Sequence, residues 1–600
     1  MKKFFAFATL VIALAGCNPK PNAKKLKNPN AKVDSIQIAF NAFLEEYYQV
    51  NLKMNPLQAT GMGDNRYNNL LPNFLSDEFK AESKNFNQST LEGLNNFSKE
   101  NLSKTQQLSY DVLQWTCEIN LAEMEFSSDL TPINQMWTLN LSFGQLASGQ
   151  GAQPFNTVED YNNWLQRVDG YLLWLQSTKT KMQEGIAQNY VLPKSLIKKV
   201  IPQLKAMITQ KAEDHLFYMP INNLPSSFTE DEKATLTEAF KSMIEEKLVP
   251  TYQDLHQFVS TTYLAAGRET SGISDVPNGE AEYQFRIKKY TTTNMTAQEV
   301  HQLGLDEVER ISKEMEKVKS QVGFEGDLKA FFDFVRTNKK LMPYTDAQQI
   351  IDNFNQIHET IKPQVAKLFD KTPKTGFEVR RTEAFREASS SAEYNQGSKD
   401  GTRPGIFYVP IPDASQYNVF SDEALFLHEA IPGHHFQVSL TQENEELPEF
   451  RKTLWYSAYG EGWALYTESL GEELGLYTDP YQYFGMLGME MHRAIRLVVD
   501  PGMHVMGWSR EKAIQYSLDN EAEPEASIIS EIERYMANPG QALSYKVGQL
   551  KILELRAKAE KALGDQFDIK EFHNQVLETG CIPLALLEAK IDNWIAESSN

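Results

Sequence analysis

Residues 428–435 read His-Glu-Ala-Ile-Pro-Gly-His-His, a zinc-binding pattern in which the second histidine is displaced. In the ordinary helical pattern, His-Glu-x-x-His, two histidines one turn apart bind zinc and the glutamate acts as a base. Here Pro432 stands at the fourth position after His428, and the histidines follow at the sixth and seventh. On a regular helix these would lie roughly 9 and 10.5 Å further along the axis. That is too far for nitrogens that bind one zinc ion at about 2.0–2.1 Å. Either this is no metal site, or the helix is broken.

The Pro-Gly pair inside this stretch supplies a mechanism for such a break. Proline lacks an N–H and clashes with the carbonyl four residues earlier, while glycine tolerates a positive φ. We expect a helix that is capped by Ser421 and ends near His428. The chain can then fold back so that His434 or His435 approaches His428.

A second carboxylate motif follows at residues 460–468, which read Gly-Glu-Gly-Trp-Ala-Leu-Tyr-Thr-Glu. Glu461 is the candidate third metal ligand. Glu468, seven residues later, falls on nearly the same face of a predicted helix. From there its carboxylate could orient a ligating histidine.

These motifs, with two later blocks, resemble the large bacterial family called "domain of unknown function 885". The family carries His-Glu-x-x-Pro-Gly-His-His, then Glu-Gly-Trp-Ala-Leu-Tyr-x-Glu, and both patterns stand here. Residues 539–549 (Pro-Gly-Gln-Ala-Leu-Ser-Tyr-Lys-Val-Gly-Gln) match its late block, and residues 496–509 also look like the family. The resemblance covers roughly Ser35 to Ser598. It implies a large, mainly α, zinc-peptidase-like fold related to the gluzincins, whose zinc is bound by two His and one Glu.

The resemblance also implies roles for individual residues. His428, His434 and Glu461 become the expected Zn²⁺ ligands, and Glu429 becomes the base. His434 is preferred to His435, which is then expected to support a ligand or to face the substrate. Three protein ligands leave a fourth position for water, and Glu429 would move the proton of that water to the leaving amine.

A tetrahedral oxyanion needs a further hydrogen-bond donor. Tyr545 and His504 are candidates because each lies in a block that resembles the family. A buried, hydrogen-bonded core position is an equally compatible interpretation of each.

Four cations could pair with a substrate carboxylate, namely Arg403, Arg496, Arg510 and Lys546. Such a pair would favour carboxypeptidase or dipeptidase action. Structural ion pairs are the alternative interpretation, and no spacing rule selects among the four.

The N-terminus predicts a lipoprotein. Residues 1–16 combine a basic start with an apolar run too short to span a bilayer, and they end in Leu-Ala-Gly before Cys17. This end resembles the bacterial lipobox, which implies cleavage before Cys17 and attachment of lipid to it. Residues 17–35 are rich in Asn, Pro and Lys and are predicted to be a tether. The expected location is the cell envelope, with the lipid as the contact with the membrane.

Composition limits the remaining partners. The chain has 59 basic and 80 acidic residues and a net charge of −21, which opposes nucleic-acid binding. Two cysteines remain after Cys17, Cys117 and Cys581, and we expect two buried thiols rather than a disulfide.

The domain organisation is predicted from hydrophobic periodicity. Residues 36–270 are interpreted as an N-terminal helical subdomain and residues 271–600 as the catalytic subdomain with the zinc motif. Residues 377–382 and 405–412 are β-rich, so a small sheet is expected next to the active-site helix. Helices are predicted at Ser35–Asn51, Val158–Gln188, Leu192–Ala212, Glu230–Thr261, Ala297–Val322 and Ala347–Phe369.

The function that these features favour is a zinc metallopeptidase that hydrolyses peptide substrates at the envelope, as a carboxypeptidase or oligopeptidase. One alternative keeps the zinc but hydrolyses a non-peptide amide or ester. Another is a lipid-anchored binding protein with a structural metal. Glu429 argues against the last alternative, because a structural site needs no base.

Overall fold

The computed structural model describes residues 29–599 except 137, 150, 384–386, 388–389, 400 and 402. The described chain is mainly helical with one small sheet, as predicted. The helices in chain order are α1 (Pro29–Met54), α2 (Pro56–Gly61), α3 (Asp77–Leu94), α4 (Lys104–Glu123), α5 (Leu139–Ala147), α6 (Val158–Ala187), α7 (Lys194–Ala206), α8 (Met219–Asn222), α9 (Glu230–Ser242), α10 (Val249–Phe258), α11 (Leu264–Ala266), α12 (Gly279–Thr291), α13 (Ala297–Gln321), α14 (Leu328–Thr337), α15 (Ala347–Leu368), α16 (Asp422–Glu429), α17 (His434–Glu443), α18 (Ser457–Glu468), α19 (Pro480–Val505), α20 (Arg510–Asn520), α21 (Glu525–Ala537), α22 (Ser544–Leu563), α23 (Ile569–Leu577) and α24 (Leu584–Ser598).

The predicted helices agree best with the structure where the sequence carries a local start signal. At α13, Thr296 Oγ1 accepts a hydrogen bond from the Glu299 N–H, and the Glu299 carboxylate accepts one from the Thr296 N–H. This reciprocal capping box fixes the first residue of the helix. At the N-terminus, by contrast, α1 already begins at Pro29, inside the predicted tether. The signal peptide, Cys17 and the rest of the tether lie outside the described residues.

The predicted sheet forms beside the helices that carry the 428–435 motif. Its strands are β1 (Phe377–Arg381), β2 (Glu393–Asn395) and β3 (Gly405–Val409), in the order β1-β3-β2. β1 pairs parallel to β3, and β2 pairs antiparallel to it. β2 was not predicted, because its three residues lie within the polar stretch between the two predicted β-rich segments.

The core is continuous through both predicted subdomains, from Phe40 to Ile591. The division near residue 270 therefore stays a prediction. No described helix is both long and apolar enough to cross a membrane. Cys117 and Cys581 are free, buried thiols, as predicted, and burial raises the pKa of each to about 12.

Helices α18 and α22 approach each other backbone to backbone. A Cβ built on Gly548 would lie 1.8 Å from the carbonyl oxygen of Ala458, and one on Gly462 would lie 2.5 Å from Gly548 Cα. Only glycine permits this separation at both positions. The contact fixes the position of α18, which carries Glu461 and Glu468.

Substitution of Gly548 tests this packing. We expect Gly548→Ala to lower the free energy of unfolding by about 1–3 kcal/mol, the usual cost of overpacking. Chemical denaturation of the chain without its leader provides the measurement. The matched control is Gly488→Ala in α19, where the nearest atom would be 3.8 Å away. A helix-interior alanine that meets only ordinary van der Waals contact should leave the stability unchanged or raise it by up to about 1 kcal/mol. Equal destabilisation by both variants would contradict the close approach.

Candidate functional site

The helix breaks where the sequence predicts. α16 ends at Glu429, α17 begins at His434, and the Ile431–Pro432 peptide between them is cis. A Cβ on Gly433 would lie 1.9 Å from the His428 carbonyl oxygen, so this turn requires glycine. The indole N–H of Trp463 donates to the Pro432 carbonyl at 2.9 Å and joins the turn to α18. One expectation was wrong: Ser421 is the residue before α16, but its side chain makes no capping hydrogen bond.

Three side chains converge across this turn. Nε2 of His434 lies 3.3 Å from Oε2 of Glu461, and Nε2 of His428 lies 3.6 Å from the same oxygen. All three ligand atoms lie within 4.8 Å of one another, which makes this the group that could hold a metal within the described part of the chain. The site is therefore assembled from α16, the start of α17 and α18.

His435 points away from this group. Its Nδ1 lies 3.1 Å from the Tyr394 hydroxyl of β2, and its ring packs 5.0 Å from that of Phe377 in β1. Burial lowers the pKa of His435 to about 4, so the ring is neutral at pH 7. The structure thus brings His434, and not His435, to His428 and Glu461.

Glu468 supports His428 from the next turns of α18. The Nδ1–H of His428 donates to Oε1 of Glu468 at 2.7 Å, and both side chains are buried. Burial by itself lowers the pKa of His428, but its contacts with Glu461 and Glu468 outweigh burial and raise the pKa to about 9. This hydrogen bond fixes the ring so that Nε2 faces Glu461.

The two other carboxyl groups differ in their electrostatics. Burial raises the pKa of Glu429, and the nearby charges of His428, His434 and Arg493 only partly offset it. Burial also acts to raise the pKa of Glu461, but the two histidines outweigh it and hold the pKa well below its usual range. Glu461 is thus an anionic group that can bind a cation. The raised pKa of Glu429, in contrast, favours proton uptake by its carboxylate.

The donor set fits a zinc ion. Ligand atoms around a tetrahedral zinc with bonds of about 2.0–2.1 Å lie roughly 3.4 Å apart. The two separations measured from the Glu461 oxygen are 3.3 and 3.6 Å. Two imidazole nitrogens and one carboxylate oxygen, with a carboxylate behind one imidazole, match the composition of a catalytic zinc site.

The two predicted oxyanion donors lie in different surroundings. His504 is fully buried, its Nδ1 accepts from the Ile273 N–H at 3.1 Å, and its Nε2 donates to the Tyr535 carbonyl at 3.0 Å. Burial lowers its pKa to about 3, and both ring nitrogens are used by the backbone. Tyr545 is only partly buried, one turn before Gly548 on α22, and its hydroxyl accepts from Arg534 at 3.4 Å.

The four cations considered for a substrate carboxylate all have protein partners. Arg403 is exposed and donates to the Gln396 carbonyl at 2.7 Å. The other three are held by carboxylates: Arg496 by Glu531 at 2.9 Å, Arg510 by Glu533 at 2.9 Å, and Lys546 by Glu490 at 2.6 Å.

Two residues of interest near the cluster, Arg493 and Trp455, were not predicted from the sequence. Arg493 lies on α19, and its charge acts on Glu429. It stands about one helical turn before Arg496, the first residue of the block at 496–509 that resembles the family. Its place next to that block is the sequence signal that could have indicated it. Trp455 has its ring 5.8 Å from that of His434 and is 48% exposed, an unusual exposure for tryptophan. No motif marks it in the sequence.

Trp455 also lines a cavity of about 280 Å³ along α17. The cavity wall includes Gln437, whose buried Oε1 has no hydrogen-bond partner in the described chain. Lys399 and Lys452, both paired with Glu449, line it as well. The cavity therefore places apolar and polar binding surface next to the His434 side of the cluster.

Comparison with known proteins gives the family of this chain and solved structures that it resembles. The model of "Bacterial protein of unknown function (DUF885)" matches residues 56–591, and that of the prokaryotic membrane lipoprotein lipid attachment site matches residues 1–18. A crystal structure of a candidate lipoprotein from Colwellia psychrerythraea is 28% identical, with a TM-score of 0.84 over 94% of this chain and 99% of that one. A candidate lipoprotein of unknown function from Shewanella oneidensis shares the fold at 19% identity, with a TM-score of 0.72 over 92% and 99% of the two chains. No curated protein matches.

The family model covers most of the chain, and the attachment site includes Cys17. The chain therefore belongs to the bacterial DUF885 family and is a lipid-anchored protein of the cell envelope.

Proposed function

We propose that this protein is a zinc metallopeptidase, related to the gluzincins, that hydrolyses peptides at the cell envelope. The observation that carries the proposal is the convergence of His428, His434 and Glu461 across the Pro-Gly turn. Glu429 follows His428 at the end of α16. A histidine pair and one carboxylate leave room for a further ligand, as catalytic zinc sites require. A base next to the ligands has no use in a purely structural site.

His428, His434 and Glu461 would hold the ion. When bound, zinc would supply a Lewis acid that polarises a carbonyl and acidifies water. Glu429 accepts the proton of the attacking water at its carboxylate and returns it to the leaving amine. Glu468 keeps His428 in the tautomer with the proton on Nδ1, which leaves the lone pair of Nε2 available to bind the metal. Tyr545, on α22 beside α18, is the proposed source of the hydroxyl that stabilises the oxyanion.

Two surfaces close to the cluster are suited to binding a peptide. β2 lies at an edge of the sheet, and its Tyr394 contacts His435, the neighbour of His434. Extended peptides commonly add to such an edge through backbone hydrogen bonds. The cavity beside Trp455 offers space for a side chain of the substrate. Both surfaces favour a peptide over a compact small molecule.

The decisive experiment combines metal analysis with a peptide library. We expect one equivalent of zinc in the wild type and in Glu429→Gln. Cleavage by the variant should fall by about 10²–10⁴-fold, the usual contribution of general base catalysis. Glu445→Gln, an exposed glutamate after α17, is the matched control and should retain full activity. Zinc bound without peptide cleavage by the wild type would overturn the proposal, as would an equally active Glu429→Gln.

Removal of the carboxylate behind His428 tests the metal site separately from catalysis. We expect Glu468→Ala to weaken zinc binding by about 10–100-fold, because a ligating histidine loses the acceptor that orients it. Glu468→Gln retains an acceptor oxygen and should lose less. Competition with a chelating dye measures the affinity. Glu472→Ala, at an exposed position one turn later, is the control. An unchanged affinity in Glu468→Ala would contradict the supporting role of Glu468.

A further inference from the structure

We infer that the cavity beside Trp455 binds a tyrosine side chain of the peptide substrate, close to the bond that is cleaved. The ring of that tyrosine stacks on the Trp455 indole, and its hydroxyl donates to Gln437. The inference rests on the proposed peptidase function and names its substrate class. It depends on the placement of Trp455, on an unsatisfied oxygen of Gln437 and on the charges in the cavity wall.

Trp455 is held against both helices that flank it at the site. Its ring centroid lies 5.8 Å from that of His434 at the start of α17. A Cβ built on Gly460 would lie 2.2 Å from Cη2 of Trp455, so the indole also rests on α18, one residue before Glu461. The side chain is nevertheless 48% exposed and lines the cavity. An indole that is packed on two sides and exposed elsewhere can stack on a flat side chain of a ligand.

The distance between these rings limits which substrate residue can reach Trp455. A peptide extends at most about 3.3–3.6 Å per residue, so two residues span roughly 7 Å. That is more than the 5.8 Å from the Trp455 ring to the ring of His434, a proposed ligand. The side chain on Trp455 therefore belongs to the first or second residue from the cleaved bond.

Gln437 offers an acceptor of fixed orientation in the same cavity wall. Its side-chain nitrogen donates to Oγ1 of Thr441 at 3.2 Å, and that hydroxyl donates its own hydrogen to the main-chain carbonyl of Gln437 at 2.9 Å. A hydroxyl has one hydrogen, so Thr441 can only accept from the amide, which fixes the amide orientation. Oε1 of Gln437 is then left buried without a partner among the described residues. A buried acceptor is costly unless a donor meets it, and a ligand in the cavity can supply that donor.

The charges of the cavity wall favour an uncharged side chain. Glu449 binds Lys399 at 2.5 Å and Lys452 at 3.3 Å, so the wall carries two cations and one anion. The excess of positive charge opposes a lysine or arginine of the substrate. A carboxylate would find both lysines engaged and would place its oxygens against that of Gln437. A neutral side chain with a donor at its end is therefore favoured.

Tyrosine meets both requirements, because it combines a flat ring with an O–H donor at the far end. The cavity of about 280 Å³ is many times larger than the roughly 10–15 Å³ that one water needs, so it admits a ring. Phenylalanine would leave the acceptor of Gln437 unsatisfied, and glutamine would donate to it without an aromatic ring for Trp455. Tryptophan carries its donor at the side of the ring rather than at its end.

The test uses peptides of the form Ala-Ala-Xaa-Ala-Ala, in which Xaa is Tyr, Phe, Gln, Glu, Lys or Ala. We expect a kcat/KM for the Tyr peptide about 100-fold above that for the Ala peptide, the scale of a filled side-chain pocket. It should be about tenfold above that for the Phe peptide, the scale of one hydrogen bond. Mass spectrometry of the products should place the cleaved bond within two residues of the tyrosine.

Variants assign the two contacts. Trp455→Ala should lose the preference for Tyr over Ala and still cleave the Ala peptide, whereas Trp455→Phe should retain part of the preference. Gln437→Leu should lower only the ratio of Tyr to Phe. Phe74→Ala, at an exposed aromatic residue outside the cavity, is the matched control. Zinc content and the unfolding temperature show that each variant is folded.

Three results would overturn the inference and leave the peptidase proposal standing. One is equal cleavage of the Tyr and Ala peptides by the wild type. Another is a preference for the Gln, Glu or Lys peptide. The third is an equal loss on every peptide by Trp455→Ala, which would make Trp455 a support of His434 and not a contact of the substrate.

Calorimetric binding of the Tyr and Ala peptides to the zinc-loaded protein separates the two proposals. If no peptide is cleaved but the Tyr peptide binds more tightly, and Trp455→Ala abolishes this advantage, the pocket stands and peptide hydrolysis fails. If no peptide is cleaved and the Tyr peptide has no such advantage, both proposals fail.

Discussion

The turn between Glu429 and His434 is the constraint on which the site depends. Gly433 passes so close to the His428 carbonyl that no side chain fits there, and the carbonyl of Pro432 is held by the Trp463 indole of α18. One backbone turn thus fixes three elements, α16, α17 and α18, in relation to each other. The glycine contact between α18 and α22 then ties this unit to the C-terminal helices. Backbone contacts therefore fix the positions of the helices that carry the cluster.

Within that frame, three glutamates have three different environments. Glu461 faces two histidines and remains anionic, and Glu468 accepts a hydrogen bond from Nδ1 of His428. Glu429 is buried with only partial compensation, so its proton affinity is raised. The same side-chain type is thereby suited to binding a cation, to orienting a ligand and to moving a proton. Burial and neighbouring charges, rather than residue identity, separate these roles.

The sequence predicted what depends on local chemistry. The capping box at Thr296, the helix break at Pro432 and the two-turn spacing from Glu461 to Glu468 all follow from neighbours along the chain. Features set by tertiary packing were missed or remained ambiguous. β2 forms only because β3 is present to pair with it. His504 looked like a possible donor because a motif does not reveal that two distant backbone groups occupy its ring nitrogens.

The cations of the C-terminal half show the same limit of prediction from sequence. Sequence alone could not show that Arg496 and Lys546 are already paired, because the carboxylates that hold them, Glu531 and Glu490, come from distant parts of the chain. The lipid anchor also limits how far the folded chain can lie from the membrane. Eleven residues separate Cys17 from Pro29, where α1 begins. Even fully extended, they span only about 40 Å at 3.3–3.6 Å per residue. The start of the helical body is thus held close to the membrane to which the lipid attaches the chain.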